Sequence, residues 1–391
     1  MFILFWNDNY SPNMNFLLTY KMAYNGLIGN EMDEKSKKEK GVKIMGYVYV
    51  GCRTTKERNA RGEGLKVYEV SEVDGRWTEI QCLKTEENPS FQCFDNTKEY
   101  LYSVHGDFTL VSSYKILEDG TLEHINTIDI GGKNPVDVTV DAENQHVIVA
   151  TLQGGTLYTI KRNKDGSLGD IVATFTYEGK EEGKVSTIHQ CLWDQKKNYL
   201  FACAQGRVNG FGQMRALKYN HETGEFTETD KFLSRTWDEP RHAAMHPNNR
   251  WLYMCEEKGN KALYFQFDEE TGKMKALQEL TTVPETVTGY SDASEVMIDP
   301  SGQYVLVSNR YTDSMAVYRI DPFTGYMKNT GFFPCLGKTP RFFCFGPNGK
   351  CYVANEDSDT IIEFTFDENT GWLVPTMNII ETGSPVCITF R

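Results

Sequence analysis

The sequence predicts an all-β protein, a seven-bladed β-propeller of four-stranded antiparallel blades. Three recurring marks carry that prediction, each found seven times along the 391 residues. A candidate inner strand recurs as NPSFQCFD (88–95), NPVDVTVD (134–141), TIHQCLWD (187–194), EPRHAAMH (239–246), ASEVMID (293–299), TPRFFCFG (339–346) and SPVCITF (384–390). A candidate middle strand recurs as YVYVG (47–51), YLYSV, HVIVA, YLFAC, WLYMC, YVLVS and CYVAN (351–355). A DG or TG hairpin closes each unit, with its glycine at 75, 120, 166, 224, 272, 325 and 371. Short alternating runs broken by turn residues, repeating at this interval, are the mark of propeller blades rather than of separate domains.

Taken in order, residues 1–44 do not match the unit. MFILFW is too short an apolar run for a signal peptide or a membrane span, and no basic segment precedes it. DEKSKKEK at 33–40 is a solvated charge run. The expectation is an extension outside the fold, or a translation start placed too early, followed by the propeller over 45–391. The first unit then has a middle strand at 47–51 but no inner strand, whereas the last inner strand has no blade of its own. Pairing 385–390 beside 47–51 supplies both and leaves no open sheet edge. The clearest unit runs through 240–272: a Pro-led inner strand, a turn at Pro247–Asn249, WLYMC, then ALYFQFD up to the turn Glu269–Gly272. Glycine suits the positive φ such tight turns require. The WD dipeptides Trp193–Asp194 and Trp237–Asp238 fall on an inner strand and in a loop, and no GH recurs, so a WD-repeat scaffold is not indicated.

Composition narrows the function. Hydrophobic residues make up 40% and aromatics 13%, ample for a buried core, and the net charge of −13 argues against a nucleic-acid partner. A small anionic metabolite held in a local basic pocket remains the expected partner, with no membrane association. The ten cysteines lie mostly within strand-like runs and form no CxxC pair. Buried reduced thiols in a cytoplasmic protein are expected, with no metal and no cofactor.

Seven internal copies locate the site. The position after the inner-strand proline reads Ser90, Val136, His189, Arg241, Ser294, Arg341 and Val386. The next reads Phe91, Asp137, Gln190, His242, Glu295, Phe342 and Cys387, and the position just past the middle strand reads Gly106, Leu152, Gln205, Glu257, Arg310 and Glu356. Packing does not ask for His, Arg and Glu at such places. In a propeller these positions share one face around the axis, so the outliers converge, mainly from blades four to seven. His246 alternates outward from His242, and His105, His124, His146 and His221 sit in turn or edge positions. Arg241, Arg310 and Arg341 suit the oxyanions of a carboxylate or phosphate. Glu257 among them is expected to stay ionised as a general base or water positioner, and His189 to accept or supply a proton. No phosphate loop, nucleophile elbow or Ser–His–Asp spacing appears, which leaves acid–base catalysis with electrostatic stabilisation.

EPRHAAMHP followed by LYMCEEKGN, SEVMIDPSGQYVLVSNR, and TPRFFCFGPNGKCYVANEDSDT together resemble the seven-bladed lactonase family over residues 45–391. That family includes bacterial-type 6-phosphogluconolactonase and the fungal carboxy-muconate lactonizing enzymes (cycloisomerase 2). The resemblance implies a cytosolic, metal-independent enzyme that opens or closes a lactone ring on an acidic substrate. In its muconate-type members it implies a catalytic quartet of His189, Arg241, Glu257 and Arg310; His242, Glu295, Arg341, Gln205, Asn355 and Glu356 are expected from their positions to contact substrate. Glu256, Glu356 and Thr151–Leu152 depart from the residues common in the lactonase branch and put the substrate in question. Hydrolysis of a sugar-acid lactone is the first expectation. A muconate-type cycloisomerase is the second, and a non-catalytic propeller binding a small acid or a protein partner is the third.

Overall fold

The computed structural model describes residues 44–84 and 86–391. The expected extension over 1–44 lies, apart from Ile44, outside the described residues. Within them the strands form seven four-stranded antiparallel sheets, each running inner to outer in chain order except the first. In that blade the C-terminal strand Pro385–Phe390 is innermost, lying antiparallel to Ile44–Cys52 with Val50 opposite Ile388 and Gly51 opposite Cys387. The ring is therefore closed by the chain's own end, as the offset of the sequence marks requires.

The hairpin glycines explain how neighbouring blades lock. All seven hold φ between 68° and 83°, a conformation glycine adopts without a Cβ clash. Several of their carbonyls accept a hydrogen bond from the preceding blade: Tyr49 Oη to Gly120 at 2.9 Å, Tyr102 Oη to Gly166 at 3.0 Å and Tyr253 Oη to Gly325 at 2.8 Å. Thr159 and Thr229 do the same to Gly224 and Gly272. These tyrosines are also packing residues, so their hydroxyls need a partner once buried. The apolar core itself lies between blades, for example Tyr253 and Tyr264 of blade five against Val305 and Tyr318 of blade six.

One irregularity recurs at the axis. The pairing of inner with middle strand slips between Pro89 and Phe91, Pro135 and Asp137, Ile188 and Gln190, Pro240 and His242, and Pro340 and Phe342. Each slip is a bulge that leaves one residue unpaired and turns it inward. Blade one bulges at Val386, and blade six spreads its slip over Ser294 and Glu295. Proline at the first residue of most inner strands fits, because that position needs no ladder donor.

Side chains beside the bulges join the blades around the axis. Asp137 accepts from its own Val138 amide and from Cys191 of the next blade, both at 2.8 Å. Gln190 Oε1 accepts from Ala243 N at 2.6 Å, and Gln92 Nε2 donates to Tyr49 O at 2.7 Å. Burial pushes the Asp137 carboxyl up to about 8, outweighing the two amides. Its folded pKa then exceeds the unfolded value of about 4. As pH rises between those values the unfolded chain holds fewer protons than the folded one, so this group's contribution to stability declines. Asp137→Asn replaces one acceptor by a donor facing the Cys191 amide, a deficit of about 1–3 kcal/mol at pH 4–5. Thermal melts should show that deficit shrinking toward pH 8; a deficit that is constant or grows with pH contradicts the assignment.

Candidate active site

The bulged residues Ser90, Val136, His189, Arg241, Arg341 and Val386 face a common axial cavity whose enclosed volume is about 20 Å³, room for about one water below its open mouth. Blade six departs from the pattern. Ser294 turns aside to donate to the Arg341 carbonyl at 2.7 Å, and Glu295 takes its place on the lining.

Two linked clusters organise the chemistry. In the first, Glu257 is the hub: its Oε1 lies 3.1 Å from Arg310 Nη2, and its Oε2 lies 3.2 Å from Arg241 Nε and accepts from Gln205 Nε2 at 2.6 Å. Arg241 also donates to the Ser294 carbonyl, which fixes both ends of its guanidinium. Glu257 is only 6% exposed and Arg241 3%, so this ion cluster is nearly dry. Burial alone would raise the Glu257 carboxyl, but Arg310 and Arg241, then Arg207 and Arg341, hold it down at about 2. Burial and the Arg310 charge push Arg241 down too, to about 10. Glu257, Gln205 and Arg310 stand behind Arg241 rather than on the cavity lining.

The second cluster is a chain of three side chains. Glu295 Oε1 lies 2.8 Å from His242 Nδ1, and His242 Nε2 lies 3.1 Å from His189 Nδ1. The carboxylate requires a proton on His242 Nδ1, which leaves His242 Nε2 as acceptor for His189 Nδ1–H. His189 Nε2 is then the unprotonated nitrogen. Burial, then the charges of Arg241 and His242, holds the His189 pKa well below its usual value, so the ring is neutral near pH 7.

The remaining expected residues are placed as follows. Arg341 lines the cavity and pairs with Glu356 at 3.4 Å. Asn355 does not reach it: it is fully buried with its side chain against the Gly337 backbone position, one residue out of phase with the inward set. Glu256 is out of phase too, held by the Ser234 hydroxyl, with burial pushing its carboxyl up to about 7. Asp292, paired with Arg310 across the strand and 3.7 Å from its Nη2, was not anticipated. Neither was Arg53, a buried lining residue from blade one. Its signal was present, since Arg53 follows Cys52 as Gly106 follows His105 and so occupies blade one's copy of the position past the middle strand. Among the described residues no three His, Cys, Asp or Glu side chains are grouped to hold a metal ion, and no helix is long and apolar enough to cross a membrane.

The residue before the inner-strand proline is left-handed in five blades, Ser384 of blade one included. Glu239 and Thr339, which precede Pro240 and Pro340, hold φ of 58° and 59°, where the equivalent residues of blades two and three are Asn88 and Asn134. Asparagine tolerates this region, whereas Glu and Thr each cost roughly 1–3 kcal/mol there.

The family model for "Lactonase, 7-bladed beta-propeller" matches residues 47–390. The chain is 26% identical to 6-phosphogluconolactonase of Bacillus subtilis over 88% of its own length and 97% of that protein. It is 26% identical to 6-phosphogluconolactonase of Formosa agariphila, covering 83% and 94% of the two chains. Among solved structures, the periplasmic gluconolactonase of Pseudomonas aeruginosa superposes with a TM-score of 0.79 at 23% identity, covering 88% of this chain and 98% of that one. A protein from Lactobacillus plantarum gives 0.79 at 21% identity, covering 88% and 99%. The seven blades, the closure and the family match agree: this chain belongs to the seven-bladed β-propeller lactonases.

Proposed function

We propose that the protein hydrolyses the lactone of a sugar acid, 6-phosphogluconolactone being the first candidate given the relatives named above. The observation that carries the reading is the Glu295–His242–His189 chain ending at the cavity beside Arg241. His189 Nε2 takes a proton from water while the water oxygen bonds to the lactone carbonyl carbon. The oxyanion that develops is stabilised by Arg241, whose guanidinium is held by Glu257 and the Ser294 carbonyl. The ring C–O bond then breaks, the ring oxygen takes the proton back from His189, and the open hydroxy acid leaves.

Between the two candidate bases, geometry favours His189, which lines the cavity where Glu257 does not. A carboxyl held at about 2 is a weak proton acceptor at neutral pH, so Glu257 orients and neutralises Arg241 and Arg310 rather than carrying the proton. The lowered His189 pKa keeps the imidazole in its accepting form. A small anionic metabolite is the partner this site suits. A cytosolic setting is supported by the ten unpaired cysteines, most of them buried.

Purified protein should hydrolyse 6-phosphoglucono-δ-lactone or gluconolactone above the spontaneous rate. His189→Gln should lower kcat about 10²- to 10⁴-fold, the usual worth of a general base. Glu257→Gln and Arg310→Ala should each lower kcat/KM by roughly 10²-fold or more, with Glu257→Gln also losing about 3–5 kcal/mol of stability because two buried arginines lose their counter-charge. Turnover untouched by all three substitutions contradicts the site.

The pH profile is a separate check. Because the folded His189 pKa lies below about 6.5, kcat/KM corrected for spontaneous hydrolysis should fall only on the acid side of that value and stay level from there to pH 8. A limb centred above pH 7 contradicts His189 as the base.

A further inference from the structure

The lactone chemistry occupies the side of the cavity built by blades four to six. The opposite side, from blades one, two and seven, carries its own polar groups with nothing in the reaction to do. Arg53 is 3% exposed and its Nε has no hydrogen-bond partner, and neither has the buried Ser90 Oγ. The two meet over Gly106. A Cβ placed there would lie 2.6 Å from Arg53 Nη1 and 2.8 Å from Ser90 Oγ, so glycine keeps open the notch across which the guanidinium and the hydroxyl face each other. Gly106 needs no special φ, so the requirement is one of space alone.

The charges around the notch do not balance. Asp107 is taken on both oxygens by Arg58, leaving Arg53 a single contact at 3.3 Å. Arg341 has Glu356 at 3.4 Å. Three arginines (53, 58 and 341) therefore stand against two carboxylates (107 and 356), one positive charge in excess. Burial and the neighbouring Arg341 push the Arg53 pKa down to about 9. Guanidinium does not give up its proton in proteins, so the shift has the sense expected of a buried cation with an unneutralised neighbour.

We propose that Arg53, Ser90 and Arg341 form a second anion subsite, which takes the phosphate monoester at the end of the substrate remote from the lactone. Two guanidinium groups and a hydroxyl reach a tetrahedral oxyanion from different blades, a more specific grip than one planar contact gives. The inference rests on the lactonase reading: that reading assigns the ring end to His189 and Arg241, and this one assigns the far end and with it the preference for a phosphorylated substrate.

The test compares 6-phosphoglucono-δ-lactone with glucono-δ-lactone on wild type, Arg53→Gln, Ser90→Ala and Gly106→Ala. The wild type should prefer the phosphorylated lactone in kcat/KM. Arg53→Gln should collapse that preference about 10- to 100-fold through KM, the usual worth of a charged hydrogen bond. Gly106→Ala removes no charge and should shift the preference the same way by filling the notch. Ser90→Ala removes a hydroxyl that had no partner, so it keeps the subsite testable where Arg53→Gln does not fold. Calorimetric binding of 6-phosphogluconate against gluconate gives a readout independent of turnover: the variants should lose the phosphate-dependent part of the affinity. Preference and phosphate-dependent binding unchanged in all three variants overturn the subsite while the lactonase reading stands. Absence of any lactone turnover, with 6-phosphogluconate binding still sensitive to Arg53, overturns the lactonase reading and leaves the anion subsite in place.

Discussion

Everything at this site depends on one backbone feature repeated around a ring. A regular antiparallel ladder would alternate side chains between the two faces of each blade and bury them against neighbouring blades. The bulge at the start of each inner strand breaks that alternation and turns a residue toward the axis. Closure by the C-terminal strand holds seven such positions around one opening. Four of them carry Ser or Val, of which the valines fill space; three carry His or Arg and supply chemistry. The scaffold fixes where the groups stand, and substitution at equivalent positions fixes what they do.

The electrostatics follow from that crowding. Several arginines lie near one small cavity, and at low local dielectric their mutual repulsion is large unless carboxylates intervene. Glu257 sits between Arg241 and Arg310, Asp292 backs Arg310, and Glu356 and Asp107 border the other side. Arg53, Arg241 and Arg341 line the opening while Glu257, Asp292, Glu356 and Asp107 do not, so the cavity offers cations held in fixed directions. Such preorganised charge is what stabilises a developing oxyanion without reorganisation during the reaction. Positive-φ backbone at Glu239 and Thr339, immediately before the strands that carry Arg241 and Arg341, belongs to the same arrangement.

Most of the fold was legible because its cause is local and repeated. Alternating strands, a hairpin glycine and an inner-strand proline recur in register, and the unmatched first and last copies identify the closing strand. The inward set was legible for the same reason, since His189, Arg241 and Arg341 stand out against Ser90, Val136 and Val386 at one repeated position. What the repeats did not show is physical too. Asn355 follows the marker strand by sequence but lies one step out of phase, where side chains point between blades. Arg53 is hard to read from sequence because blade one takes its inner strand from the chain's C-terminus, so no inner-strand mark precedes it to set the register. The bulge is a register slip inside each blade that strand alternation does not print, and the order Glu295–His242–His189 depends on contacts between blades that no single repeat encodes.

The central claim is that the axial opening on the bulged side holds the substrate, ring end toward His189 and Arg241. A crystal structure with the open hydroxy-acid product bound tests it most directly. The account predicts the product carboxylate within hydrogen-bonding distance of Arg241 and of His189 Nε2, with the rest of the chain running across the axis toward Arg53. Product bound on the opposite face of the ring, or in the cavity with its carboxylate away from both residues, would contradict it.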